Sequence, residues 1–268
     1  MKKLVVWTLL AVMFFATLTA GCGGGSSSDS GTDSEQTESL YEDTGDYDPN
    51  GENRGTTGAT IDISALSEDY TAQDGETLTG TVADWVKISI ADGAAVTLKN
   101  AKISREDDYS YPQSAGITCE GNATLILKGT NSVKSFHPDY PGIHVPKGKT
   151  LTIKGSGSLN ASGKTFGAGI GGGWGMSRKG ISCGNIVIDG GTIYATGTRW
   201  AAGIGGGADS DCGYITITKI VTRVTATKGE DAPYSIGAGD GGSCGTVTIG
   251  GKVGSISDDQ YTYPPDMQ

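Results

Sequence analysis

The sequence has little histidine and proline, and its apolar residues after residue 59 show no helical spacing. Two histidines and eight prolines occur among 268 residues. So few histidines argue against a zinc site, and the catalytic motifs HExxH and SxxK are absent. The lack of a helical period, and of any alternation of strands with helices, excludes helical and α/β folds. Short alternating β-strands are the pattern that remains.

Positive charge is scarce as well. Twenty Lys and Arg residues oppose 30 Asp and Glu residues, which gives a net charge of −10. We therefore expect no basic stripe and no nucleic-acid partner. Nine of the acids lie between Gly23 and Gly58, where Arg54 is the only basic residue. The excess of acid thus belongs mainly to this segment.

Long apolar runs are missing except at the N-terminus. Lys2 and Lys3 precede the 15-residue apolar run Leu4–Leu18, which is shorter than the roughly 20 residues of a membrane-spanning helix. This order of charge, apolar core and small residues is that of a secretory signal peptide. The letters LTAGC, ending at Cys22, resemble the bacterial lipobox, although Thr19 stands where a leucine is usual. The resemblance implies cleavage after residue 21 and a lipid on Cys22; an ordinary cleavage site with an incidental cysteine is the alternative.

Three regions follow from these changes in composition. Residues 1–21 form the signal peptide. Residues 22–58, rich in Gly, Ser, Thr, Asp and Glu, form a lipidated linker that we expect to be disordered, because it buries too little apolar surface to offset its ordering entropy. Residues 59–268 form one domain. Within it, we expect residues 61–80 to cap the first repeat and residues 255–268 to form a tail rather than another strand.

A strand–turn–strand unit repeats through the domain. Its first element ends in an isoleucine, and the equivalent isoleucines are Ile117, Ile143, Ile170, Ile204 and Ile236. Two further elements follow in each copy, for example TLTI and then SLNA after Lys149. Each element is short, β-branched and alternating, which indicates a strand with one buried face.

Three short strands per copy cannot enclose a core alone, but stacked copies bury one continuous apolar column. The sequence therefore predicts an all-β fold, a single-stranded right-handed parallel β-helix (β-solenoid) of about six rungs. The right hand follows from the strong preference of parallel crossovers. An ordinary β-sandwich with regularly spaced strands is the alternative.

The run from Ala168 to Cys212 carries a family resemblance. The letters AGIGGG begin at both Ala168 and Ala202, and a Cys-Gly pair precedes a strand at both Cys183 and Cys212. This pattern resembles bacterial surface proteins described as carbohydrate-binding-domain-containing, which are right-handed parallel β-helices of pectate-lyase-like architecture. Over Ile61–Gly254 the resemblance implies that fold and a polysaccharide ligand, with calcium on Asp-rich turns in some members.

Cysteines and glycines recur at equivalent positions. Cys183, Cys212 and Cys244 each precede a glycine and a strand, so stacked copies would place them in a column with about 4.8 Å per rung. We expect an inward ladder of small apolar side chains; a disulfide within the column and a metal site are the alternatives. The turns Gly169–Gly173 and Gly203–Gly207 are expected to allow close stacking or positive φ rather than to bind phosphate.

Aromatic residues precede most of the isoleucine starts: Tyr109, Tyr111, Phe136, Tyr140, Phe166, Trp200 and Tyr234. In stacked copies they lie in adjacent loops along one edge, and a row of flat rings suits an extended polysaccharide. Polar neighbours that can add hydrogen bonds are Arg105, Asp107, Asp108, His137, Asp139, Arg199 and Asp231. The glycan-binding candidates are Tyr109, Tyr111, His137, Tyr140, Arg199, Trp200 and Tyr234. Phe166 is expected to point inward, and a buried aromatic ladder over the core edge is the alternative.

A second set of residues follows the glycine-rich turns: Trp174, Met176, Arg178, Lys179, Asp209, Asp211 and Asp240. Asp209, Asp211 and Asp240 suit a calcium ion held by neighbouring turns, since calcium prefers oxygen ligands. Solvated turn aspartates are the commoner case, and no other cofactor is expected.

These observations favour a cell-surface, lipid-anchored and non-catalytic polysaccharide-binding module. No pair of carboxylates has a spacing diagnostic of a glycosidase, so no catalytic residue is assigned. The alternatives are a structural or adhesive surface protein that contacts protein partners and, less favoured, an enzyme resembling polysaccharide lyases. The expected partners are a polysaccharide or surface glycan and, through Cys22, the membrane.

Overall fold

The computed structural model describes residues 58–82, 86–104, 114–175 and 179–265. These residues form 23 short strands and one 3-10 turn at Ile63–Ala65, with no α-helix among them. The predicted all-β class is confirmed. No helix in the described part of the chain is long and apolar enough to cross a membrane.

The strands lie in three rows that the chain visits in turn. Row 1 contains β2 (Tyr70–Ala72), β4 (Ile88–Ile90), β6 (Ile117–Cys119), β9 (Ile143–His144), β12 (Ile170–Gly171), β17 (Ile204–Gly205) and β20 (Ile236–Gly237). Row 2 contains β1 (Thr60–Asp62), β3 (Thr77–Thr81), β5 (Ala95–Ile103), β7 (Ala123–Lys128), β10 (Thr150–Gly155), β15 (Asn185–Ile188), β18 (Ile215–Ile217) and β21 (Val247–Ile249), with β22 (Lys252–Val253) at its end. Row 3 contains the C-terminal part of β5, then β8 (Thr130–Lys134), β11 (Ser158–Ser162), β16 (Thr192–Thr196), β19 (Arg223–Thr227) and β23 (Gln260–Tyr263). A separate hairpin pairs β13 (Gly173–Gly175) with β14 (Lys179–Ile181).

Parallel pairing in register joins successive copies within each row. The five predicted isoleucines are consecutive partners in row 1, and all five are fully buried: Ile117, Ile143, Ile170, Ile204 and Ile236. The column read from the sequence is therefore confirmed. Sheets built in this way are compatible with a parallel β-helix.

Strand alternation places a second column of large apolar side chains in the core. Row 2 stacks Leu125, Ile153, Ile188, Ile217 and Ile249 as consecutive partners. Each is buried, and burial of one such side chain contributes roughly 1.5–3 kcal/mol. The residues between them face outward because the side-chain period of a strand is two.

The first copy begins earlier than predicted. Row 1 contains seven strands, whereas the sequence predicts about six rungs. The additional strand is β2, which lies in the segment expected to cap the domain. Only β1 and the 3-10 turn precede it, and Ile63 of that turn is fully buried.

The C-terminal residues form strands, and the expectation of a tail is wrong. After β21 the chain reverses: β22 pairs antiparallel with β21, Ile256 bridges Ile236 in row 1, and β23 pairs antiparallel with β19 in row 3. Tyr261 and Tyr263 of β23 pack partly buried against the core. Their apolar rings offset the unfavourable strand propensity of the neighbouring aspartates and prolines.

The cysteine column exists, but the expectation of a purely apolar ladder is wrong. Cys212 and Cys244 are joined by a disulfide with a Cα–Cα distance of 4.5 Å, which is close to the spacing of neighbouring strands in register. Cys183 stays a buried free thiol, and burial raises its pKa to about 12. Among the three it is the one free thiol, although Cys212 is buried in the core as well.

The glycine-rich turns allow close stacking, as predicted. Gly171 and Gly205 have φ values of 139° and 129°, and a Cβ on Gly171 would collide with the carbonyl oxygen of Gly205. Glycine is the residue that adopts such a φ without strain and has no Cβ to collide.

Candidate functional site

The loops that lead from row 3 to row 1 stack on one another as the strands do. The backbone N–H of Asp139 donates to the carbonyl of Lys164 at 3.0 Å, and that of Trp200 donates to the carbonyl of Glu230 at 2.8 Å. These loops carry the predicted aromatic residues. The described part of the aromatic edge therefore lies in adjacent loops.

Each of these loops contains one residue in the left-handed region. The φ values are 74° at Asp139, 54° at Thr165, 66° at Trp200 and 59° at Asp231. Such values are unusual for a residue as bulky as tryptophan and cost about 1–2 kcal/mol. The loop around Trp200 thus holds a strained residue in a fixed position, a feature that occurs often at binding sites.

Three aromatic rings meet at the loop of Trp200. The ring centroid of Phe166 lies 5.0 Å from that of Trp200 at an interplanar angle of 19°, and 5.0 Å from that of Trp174 at 70°. The guanidinium carbon of Arg199 lies 4.8 Å from the Trp200 ring centroid. The indole N–H of Trp174 donates to Oδ2 of Asp209 at 3.2 Å. We call these five residues the aromatic cluster.

The aromatic cluster joins residues from both sets that the sequence suggested separately. Phe166, Arg199 and Trp200 come from loops that lead into row 1, whereas Trp174 and Asp209 come from segments that lead out of it. The strands β12 and β17 between them have two residues each, so the flanking loops come within hydrogen-bonding distance. The N–H of Asp240 donates to the carbonyl of Trp200 at 2.8 Å.

The cluster is accessible to a ligand. Phe166, Trp174 and Trp200 are half-buried, and Arg199 and Asp209 are exposed. Half-buried rings present an apolar surface whose position is fixed by packing. A cation and a carboxylate beside them supply hydrogen-bond donors and acceptors. This combination suits a ligand with apolar faces and many hydroxyl groups.

Phe166 does not point into the core, so that expectation is wrong. Its ring packs against Trp174 and Trp200 instead of against the core, and these contacts cover part of its apolar surface. The sequence contains one signal that Phe166 lies beside Trp200. Each of these residues stands four positions before the isoleucine that starts its copy. Trp174 lies beyond the isoleucine of its copy, so the repeat alone does not bring it to this edge.

The other described glycan candidates differ in burial. His137 is buried, and its Nδ1 lies 2.8 Å from the carbonyl oxygen of Pro138. Tyr140 is half-buried with its ring 5.9 Å from that of His137, and burial raises the pKa of its hydroxyl. Tyr234 is half-buried. Outside the described residues lie Tyr109, Tyr111, Arg105, Asp107, Asp108, Met176 and Arg178.

The three aspartates suggested for calcium serve different partners. Asp209 accepts the indole N–H of Trp174, and Asp211 accepts the hydroxyl of Ser243 at 2.7 Å. The Ser243 hydroxyl lowers the pKa of Asp211. Asp240 is exposed. Within the described ranges, no three His, Cys, Asp or Glu side chains are grouped as metal ligands.

Two segments, Gly180–Gly184 and Gly241–Gly245, have the spacing Gly-x-Ser-x-Gly. In hydrolases this serine lies on a strand-to-helix turn beside a histidine. Here the hydroxyl of Ser243 donates to Asp211, and that of Ser182 accepts the N–H of Asp211 at 3.2 Å. Nε2 of His144 lies 3.3 Å from the backbone carbonyl oxygen of Ser182 rather than from its hydroxyl. Neither serine has the geometry of a nucleophile.

Comparison of this chain with protein-family models, curated proteins and solved structures gives no match.

Proposed function

We propose that this chain is an exported, lipid-anchored and non-catalytic module that binds polysaccharide at the bacterial cell surface. Its domain is a single right-handed parallel β-helix. The support for the helix is the in-register recurrence of three strand rows, and the support for its hand is the preference of parallel crossovers. The lipid anchor is Cys22, supported by the lipobox-like letters around it.

The aromatic cluster is the observation that carries this proposal. Pyranose rings have apolar C–H faces that pack on aromatic rings, and Phe166, Trp174 and Trp200 provide three such rings within contact of one another. Arg199 and Asp209 lie at the margin, where they contact sugar hydroxyl groups. The ligand is therefore a glycan with an accessible C–H face.

Binding without catalysis fits the acid–base groups at the cluster. Asp209 is the carboxylate within it, and it already accepts the indole N–H of Trp174. Glycoside hydrolysis needs two carboxylates that flank one bond. A lyase needs a base beside a metal-bound acid, and the aspartates here have separate partners.

A glycan array probed with the full-length chain in detergent tests the proposal. We expect a specific glycan signal for the wild type and a loss of about tenfold or more, equivalent to 1.4 kcal/mol, in Trp200→Ala and Phe166→Ala. Tyr194→Ala is the matched control, because Tyr194 is 44% exposed on row 3, away from the cluster. Repeating the array with calcium and with a chelator shows whether glycan binding depends on calcium.

The outcome that would overturn the proposal is an array without signal, or an equal loss in the Tyr194 control.

A structural or adhesive role with a protein partner is the second candidate. Ile220 and Val253 are 71% and 76% exposed, and such side chains favour a protein contact when they are adjacent. If the array is empty and the variants Ile220→Ser and Val253→Ser reduce adhesion of cells that display the chain, this role replaces glycan binding.

A further inference from the structure

Five lysines lie on the outer faces of rows 2 and 3, on both sides of the corner where β5 passes from one row to the other. Lys99, Lys102, Lys128 and Lys154 are exposed, and Lys134 is half-buried. Lys99 and Lys128 are direct partners in register, about 5 Å apart at their Cα atoms. We call these five residues the lysine face. The expectation that the chain has no basic stripe is wrong, because the register gathers lysines that are 3 to 55 residues apart in the sequence.

None of the five strands that carry the lysine face has an outward acid; the nearest acid in register is Asp189, which follows β15 beside Lys154. The other outward residues of β5, β7, β8, β10 and β11 are Ala95, Thr97, Asn100, Thr124, Ile126, Thr130, Ser132, Thr150, Thr152, Gly155, Ser158, Asn160 and Ser162. By contrast, Lys147 pairs with Asp211 at 3.3 Å, and Lys149 pairs with Asp92 at 3.2 Å. None of the five lysines forms an ion pair with any described residue.

We propose that the lysine face binds a linear phosphate polymer that carries no aromatic bases. Five unpaired ammonium groups supply the charge complementarity. Lysine presents a compact point charge, which is one of the usual ways in which proteins bind phosphate groups. The hydroxyl groups of Ser and Thr between the lysines donate to phosphate oxygens.

Two other classes of polyanion fit this face less well. Single-stranded nucleic acid binds where bases stack on aromatic rings, and no outward residue of these five strands is aromatic. A membrane surface favours basic residues interleaved with large apolar side chains, and Ile126 is the single large apolar residue here. The site is also separate from the aromatic cluster, so the two proposals can fail independently.

Titration of the full-length chain in neutral detergent with inorganic polyphosphate tests this proposal. The wild type is expected to bind with an affinity that falls as salt is raised. Lys128→Gln with Lys154→Gln is expected to weaken binding by about two- to tenfold, the effect of losing two exposed charge contacts. Lys87→Gln with Lys147→Gln removes the same charge elsewhere and is expected to change the affinity less than twofold. Circular dichroism of both variants verifies the fold.

The proposal is overturned if polyphosphate does not bind, or if both double variants lose affinity equally. It is also overturned if poly-deoxythymidine binds more tightly than polyphosphate, which would assign the face to nucleic acid. Binding to phosphatidylglycerol vesicles that depends on Lys128 and Lys154, while polyphosphate binding does not, would assign it to a membrane. The Trp200→Ala variant is expected to bind polyphosphate as the wild type does.

Discussion

At the scale of single residues, Trp200 combines a half-buried ring with a backbone conformation that its side chain disfavours. Its φ of 66° lies in the left-handed region, where glycine is at ease and other residues are strained. The stacking of Phe166 and the backbone bonds of its loop hold it there. The strain is thus maintained by the same contacts that fix the orientation of the ring.

This strain can be measured by comparing two truncations of Trp200. Both Trp200→Gly and Trp200→Ala remove the ring, but only glycine relieves the positive φ. We expect the glycine variant to be about 0.5–1 kcal/mol more stable in denaturant unfolding. At Arg199, whose φ is not positive, the order should reverse, with alanine the more stable. Equal stability of the two Trp200 variants would contradict the argument.

His144 makes stability depend on pH in a defined direction. Burial lowers its pKa below 6.5 in the folded chain, so the unfolded chain takes up a proton at a higher pH than the folded chain does. The contribution of neutral His144 to the free energy of unfolding is therefore present above pH 6.5 and decreases as the pH falls through that value. Between about pH 7.5 and 5.5, the wild type should lose more free energy of unfolding than His144→Gln, by up to about 1.4 kcal/mol per pH unit. An equal loss in both proteins would refute this role.

At the scale of elements, the corner between rows 2 and 3 depends on one buried amide. Asn131 is 1% exposed. Its Oδ1 accepts the N–H of Ala101 at 2.9 Å, and its Nδ2 donates to the carbonyls of Lys128 and Ser158, both at 3.1 Å. One side chain thus links three consecutive copies where the strands break.

Removing this amide should be costly. Asn131→Ala removes the partner of one buried backbone N–H and of two partly buried carbonyls, and we expect a loss of about 2–3 kcal/mol in the free energy of unfolding. Asn160→Ala, at an exposed position of the next strand, should change stability by less than about 0.5 kcal/mol. Thermal or urea unfolding distinguishes these results, and a similar effect of both substitutions would show that the corner does not need the amide.

The disulfide ties the last two copies together. It joins residues 32 apart in the sequence, and a loop of that length corresponds to about 3–4 kcal/mol of stabilisation. Reduction should therefore speed hydrogen exchange in β20–β23 while β4–β7 exchange as before. A variant with Cys212→Ser and Cys244→Ser should show the fast exchange without reductant and no further change with it. Unchanged exchange on reduction would mean that the antiparallel C-terminal strands are sufficient alone.

Sequence reasoning succeeded for elements whose signal is periodic. The isoleucines from Ile117 to Ile236 recur at equivalent points of each copy, so their stacking could be predicted. The strand β23 could not, because its aspartate and proline neighbours have low strand propensity and its partner β19 is distant in the sequence. The cysteine column gave the right positions, but spacing alone does not distinguish a free thiol from a disulfide.

At the scale of the whole molecule, the stacking of the copies decides which surface residues become neighbours. The hairpin of β13 and β14 brings Trp174 to the loops of Phe166 and Trp200. Trp174 follows the row 1 strand of its copy, whereas Phe166 precedes that strand. The lysine face arises in the same way, since the register decides which outward positions are neighbours. Neither grouping is encoded as a contiguous motif, so the sequence alone identified parts of the aromatic cluster and missed the lysine face.

The central claim is that the aromatic cluster binds polysaccharide, and tryptophan fluorescence tests it most directly. Replacing Trp7 and Trp85 by Phe leaves Trp174 and Trp200 as the only fluorophores of that kind. Titration of the full-length variant with a glycan that binds in the array should give a saturable blue shift, because a packed sugar excludes water from the rings. Binding of that glycan without any change in emission would contradict the claim and place the glycan elsewhere on the molecule.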